Sequence, residues 1–125
     1  MKNRKQPLFK SFGYAFEGIW TGISKERNMK IHCLAVILVT AVGTFVGLTP
    51  MEWCICSLLF GMVISLELVN TAVEAVVDLV TEERKPLAKI AKDTAAGAVL
   101  FTAIMAVIIG CIIFIPHFMR IAGIA

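Results

Sequence analysis

Three apolar runs constrain this chain most: Ile31 to Leu48, Trp53 to about Val80, and Thr94 to Ile115, each long enough to cross a bilayer as a helix. Hydrocarbon offers no water to pair with peptide groups, so a chain that enters it must bond its backbone internally. With 58% hydrophobic and 17% charged residues and a mean hydropathy of +0.85, the composition excludes an ordinary soluble protein. The expectation is a single all-α integral-membrane domain over residues 1–125, with spans at about 31–48, 53–80 and 94–115.

The first thirty residues are basic and amphipathic, and the first apolar run starts only at Ile31, which is not the pattern of a cleaved signal peptide. Leu8, Phe9, Phe12, Phe16, Ile19 and Trp20 recur at helical spacing, predicting an amphipathic surface helix over about 8–26. Gly13, Gly18 and Gly22 weaken it as an isolated helix and leave room for close contact with another element. Cys33, Cys54, Cys56 and Cys111 all lie in apolar runs and lack partners at zinc-ligand spacing, so they read as packing residues.

Basic residues near span ends stay on the cytoplasmic side. Lys2, Arg4, Lys5, Lys10, Lys25, Arg27 and Lys30 precede the first span, while Arg84, Lys85, Lys89 and Lys92 lie between the second and third. The turn "LTPMEW" has no basic residue, and only Arg120 follows the third span. This asymmetry predicts a multi-pass protein of the bacterial cytoplasmic membrane, N-terminus cytoplasmic and C-terminus outside. The net charge of +3 fits a basic face on anionic lipid and calls for no nucleic acid.

The second run ends in "ELVNTAVEAVVD", which carries carboxylates into an apolar segment. At 100° per residue, Glu67, Asn70, Thr71, Glu74 and Asp78 fall at about 0, −60, +40, −20 and +20°, one narrow stripe descending about 16 Å. A carboxylate at the depth of Glu67 must be protonated, paired or bound to a cation. The stripe could seal an oligomer interface, line an ion path, or form an active site at the lipid–water boundary. Two features favour the last: Lys92 and Asp93 in "AKIAKD", and Glu26 at the start of the first span. Carboxylates converging from separate helices suit Mg²⁺ held together with phosphate oxygens, and hence phosphoryl transfer. His32, beside "MK", reads as an interfacial hydrogen-bonding residue whose place near the stripe leaves its role open; His117 falls at the opposite face, outside the chemistry.

In order along the chain, "KERNMKIH", "ELVNTAVEAVVDLV" and "AKDTAAGAV" resemble the small bacterial integral-membrane diacylglycerol kinase and undecaprenol kinase family over nearly the whole length. The resemblance implies a homotrimer that uses ATP and Mg²⁺ to phosphorylate a membrane-lipid hydroxyl. It implies Glu67 as general base and Glu26 and Glu74 as the carboxylates holding nucleotide-bound Mg²⁺. Asn70 and Asp78 are implied as supporting polar residues, and Tyr14, Glu83, Lys85, Lys92 and Asp93 as nucleotide contacts. Glu17 and Trp20 stand where the diacylglycerol kinase branch tends to have basic residues, and Ala96 replaces a small hydroxyl residue. These differences favour the undecaprenol kinase branch, with undecaprenol as acceptor and diacylglycerol as the alternative. A non-catalytic oligomeric scaffold, with the stripe as interhelical glue, is the reading of a different class.

Overall fold

The computed structural model describes residues 6–124, so the charges expected of Lys2, Arg4 and Lys5 lie outside the described residues. Four helices follow one another: α1 (Leu8–Lys25), α2 (Arg27–Val46), α3 (Pro50–Val80) and α4 (Pro86–Ile121). No strand occurs among the described residues. α2, α3 and α4 are long and apolar enough to cross a membrane. The all-helical class, one amphipathic helix followed by three spans, is therefore the one the apolar periodicity calls for.

Local chemistry sets the boundaries. α1 stops at Glu26, whose extended backbone (φ −95°, ψ 122°) turns the chain directly into α2. α2 ends at Gly47 in the left-handed region (φ 76°), where a side chain would be strained. The amides of Gly47 and Leu48 both donate to the Gly43 carbonyl, closing the last turn. Thr49 then caps α3: its hydroxyl accepts from the Glu52 amide at 3.2 Å, and its own amide donates to the Glu52 carboxylate at 2.9 Å. Pro50 and Pro86 stand in the first turns of α3 and α4, where no amide hydrogen is needed.

The helices run past the apolar windows read from sequence because charged residues continue them beyond the hydrocarbon. Lys89, Lys92 and Asp93 all lie inside α4, not in a loop before it. At 1.5 Å per residue, α3 and α4 measure about 46 and 54 Å, against a hydrocarbon core of about 30 Å.

α3 and α4 form the principal antiparallel pair, and α2 packs on both. Near the α2–α3 turn, Leu48, Cys56 and Ile113 make a small core covered by Trp53 and Phe60. His117 of α4, itself buried, reaches Glu52 with Nε2 2.9 Å from the carboxylate. One carboxylate thus ties the cap of α3 to the far end of α4. At the opposite end α1 crosses α3 at Gly22: a Cβ there would stand 2.5 Å from Leu68 Cδ2, with the fully buried Met29 alongside. Gly13 and Gly18 meet nothing, so only the third glycine of α1 serves a close approach. Phe9, Phe12, Phe16 and Trp20 remain exposed on α1, an apolar face suited to the headgroup boundary.

Replacing His117 by Ala leaves Glu52 without its partner on α4. The expected outcome is a lower unfolding midpoint in detergent, with activity below that midpoint unchanged.

Candidate functional site

Counted from Pro50, Glu67 stands about 25 Å along α3 and Asp78 about 42 Å. Against a core of about 30 Å, Glu67 lies inside the apolar layer near one polar edge, and Asp78 lies beyond it. The stripe read from periodicity therefore passes from lipid depth to water along one rigid helix.

Glu67 is 1% exposed and Asn70 6%, the two most buried members of the stripe. Glu67 Oε2 and Asn70 Oδ1 have no hydrogen-bond partner among the described residues. The Asn70 amide donates instead to Glu74 Oε1 at 3.4 Å, a weak bond that turns its free oxygen the other way. Buried polar atoms are seldom left unpaired, so two within one turn call for a partner that the described residues do not supply. Thr71 departs from the sequence reading of the stripe: its hydroxyl donates to the Glu67 carbonyl at 3.0 Å and is spent within its own helix.

Glu26, half-buried at the α1–α2 junction, and half-buried Glu74 both lie close enough for their charges to act on the Glu67 carboxylate. Carboxylates from two elements thus converge, although no three of His, Cys, Asp and Glu form a metal-binding group among the described residues. The residue that sequence reasoning left undecided is His32. Its Nε2 lies 3.6 Å from Glu67 Oε2, with side-chain exposures of 20% and 2%. Its spacing to the basic cluster gave no sign of this pairing, which depends on how α2 and α3 cross.

Beyond the polar edge, Lys92 Nζ reaches Asp78 Oδ1 at 2.6 Å, and Lys89 pairs with Asp93 one turn away. Lys85 sits 3.9 Å from Glu83 in the α3–α4 loop. Asp78, Glu83, Lys85, Lys89, Lys92 and Asp93 line one recess of about 650 Å³. Lys92 and Asp93 therefore share a recess with the loop residues, and Asp78 links that recess to the stripe. Tyr14 is exposed on α1, and no contact joins it to either group.

A second, almost wholly apolar groove of about 630 Å³ runs among α2, α3 and α4 from His32 past Val36, Phe60 and Cys111 to Phe118. His32, which borders it, stands 3.6 Å from the Glu67 carboxylate. Along the opposite half of the spans, the hydroxyls of Thr40, Thr44 and Thr102 all donate to carbonyls of their own helices. They offer no continuation of the polar stripe as an ion path.

A buried acidic stripe, a recess of mixed charge at the water side and an apolar groove on the lipid side define a membrane enzyme that works at the boundary between the two phases. The model of the prokaryotic diacylglycerol kinase family matches residues 13–114. The chain is 48% identical to the undecaprenol kinase of Bacillus subtilis (strain 168) over 115 residues, 92% of this chain and 94% of that protein. It is 42% identical over 110 residues to a diacylglycerol kinase of Synechocystis sp. (87% and 63%) and 30% identical over 111 residues to that of Escherichia coli K12 (89% and 91%). The chain belongs to the prokaryotic diacylglycerol kinase family and is a lipid kinase.

The Asp78–Lys92 pair is 61% and 40% exposed at its side chains, so solvent screening discounts its worth. A double-mutant cycle with Asp78→Asn and Lys92→Met, read by denaturation without nucleotide, should give no measurable coupling. A measurable one would show that the pair sustains the fold.

Proposed function

We propose that the chain transfers the γ-phosphoryl group of ATP to the hydroxyl of undecaprenol, with Glu67 as general base. The observation that carries this reading is the Glu67 carboxylate itself: buried, with an unpaired oxygen, beside the one histidine that borders the apolar groove. An amphipathic lipid lying with its hydrocarbon along that groove brings its hydroxyl to Glu67. The 48% identity to a protein named undecaprenol kinase supports that lipid over diacylglycerol, the acceptor in the names of the relatives at 42% and 30%.

Glu67 takes the hydroxyl proton as the lipid oxygen bonds to the γ-phosphorus and the bond to the bridging oxygen of ADP breaks. Lys92, held by Asp78, faces the phosphates with a positive charge against the negative charge that develops there. Glu83, Lys85 and Asp93 line the recess for the nucleotide, and Tyr14, exposed on α1, is a further nucleotide contact only as the family resemblance implies. The donors in reach of the stripe, the Glu74 carboxylate and the free Oδ1 of Asn70, are hard oxygens that suit Mg²⁺. Glu26 and Glu74 would hold the ion, which supplies charge neutralisation at the β- and γ-phosphates when bound. Asn70 fixes Glu74 through its amide.

The same reading has the α3–α4 loop and the N-terminus in the cytoplasm of a bacterial cell, where ATP is available, and the C-terminus outside. Residues 1–125 act as one domain. The same reading takes the chain as a homotrimer within the bilayer, as the family resemblance implies.

The test is phosphate transfer from labelled ATP with Mg²⁺ in mixed micelles, offering undecaprenol and a short diacylglycerol separately. Undecaprenol should be the better acceptor, and Glu67→Gln should lower kcat by about 10²–10⁴-fold. A preference for diacylglycerol would keep the mechanism and replace the lipid. Transfer at the wild-type rate by Glu67→Gln would remove the base. Chelation should abolish turnover and Mg²⁺ restore it, and Glu74→Gln should raise the Mg²⁺ concentration at half-maximal rate; an unaltered requirement would remove Glu74 as a ligand.

A further inference from the structure

We infer that His32 is the positioning residue of the Glu67 carboxylate and the group that receives the lipid proton from it. The inference rests on Glu67 as general base and adds the route by which that base is reset. A carboxyl inside hydrocarbon that has taken a proton must lose it before the next cycle, and the Glu67 side chain, 2% exposed, cannot pass it directly to water.

Among the described residues, His32 is the basic group within ion-pair distance of Glu67. Lys92, Lys89 and Lys85 pair with Asp78, Asp93 and Glu83, and among the described residues no ion pair joins Lys25, Arg27, Lys30 or Arg84 to Glu67. The separation of 3.6 Å is too long for a hydrogen bond, and Glu67 Oε2 has no partner. In the proposed cycle Nε2 faces the Glu67 carboxylate unprotonated, with the ring proton on Nδ1. Once the lipid proton sits on Oε2, the pair becomes a donor and an acceptor, and a small movement closes the bond.

The step is balanced. The lipid O–H proton goes to Glu67 as the new O–P bond forms, then to His32 Nε2, leaving a carboxylate and an imidazolium. The imidazolium then gives its Nε2 proton to water, which its 20% exposure allows and which restores the Nδ1–H form, whereas Glu67 at 2% has no such route. His32 also borders the apolar groove, so the lipid hydroxyl passes it on the way to Glu67.

Several titratable groups surround the pair. Glu74 of α3 and Glu26 of the α1–α2 junction act on Glu67 by charge, and Cys56 of α3 and Cys111 of α4 line the groove with His32. None of these is a base placed to take the proton, because the carboxylates are reserved for cation and the thiols lie deeper in the groove.

The experiment compares full-length wild type, His32→Gln and Glu67→Gln. Two readouts are taken: kcat for undecaprenol phosphorylation against pH, and the side-chain ¹⁵N titration of His32 by NMR in micelles without substrate. His32→Gln should lower kcat by about tenfold to 10²-fold, leave KM for ATP unchanged, and displace the acid limb of the kcat profile. Glu67→Gln should displace the titration midpoint of His32. A His32→Gln enzyme with the wild-type kcat and acid limb would overturn the inference even if its unfolding midpoint fell, since that is the signature of a purely structural pair. So would a His32 titration indifferent to Glu67→Gln, a result independent of turnover. If Glu67→Gln loses activity while His32→Gln does not, the role of His32 falls alone; if Glu67→Gln retains activity, the base assignment falls first.

Discussion

The low polarity of the bilayer interior governs this molecule. It makes each span a continuous helix, and it makes a single carboxylate placed inside it a group that must be given a neighbour. Glu67 is that carboxylate. It is carried to its depth by α3, flanked by the small contact of Gly22 with Leu68, and approached by His32 from α2. The residues with polar work to do cluster near one end of the spans, and the remaining length is apolar scaffold.

Sequence made the class legible because hydropathy and helical period are properties of one chain read in order. The three spans, the proline starts of α3 and α4, and the stripe from Glu67 to Asp78 all follow from spacing along a helix. Contacts between helices do not. The pairing of His32 with Glu67, of Asp78 with Lys92, and of Glu52 with His117 depends on crossing angles and relative shifts that no period reveals. Thr71 shows the converse: it falls on the stripe by angle, yet a short hydroxyl in a helix bonds readily to the carbonyl four residues back. The converging positions of Glu26, Glu67 and Glu74 were legible mainly through family resemblance.

The two ends of the bundle divide the labour. Near the α2–α3 turn, Gly47, the Thr49–Glu52 capping box and His117 fix α2, α3 and α4 to one another with satisfied bonds. Toward the α3–α4 loop the ion pairs are exposed and two buried polar atoms stand open. An end built for stability supports an end built for binding, and Cys56 and Ile113 pack between Glu52 and the groove rather than near the stripe.

α3 is one unbroken helix from Pro50 to Val80, so the height of Glu67 is fixed as though by a ruler whose zero lies at the opposite membrane surface. A bilayer that thickens or thins cannot move the carboxylate along the helix; it can only tilt the rod or shift the water boundary past it. The match between lipid thickness and about 25 Å of helix therefore decides how wet the carboxylate is. Membrane composition enters the chemistry of this chain as a mechanical variable, separate from the identity of the lipid that is phosphorylated.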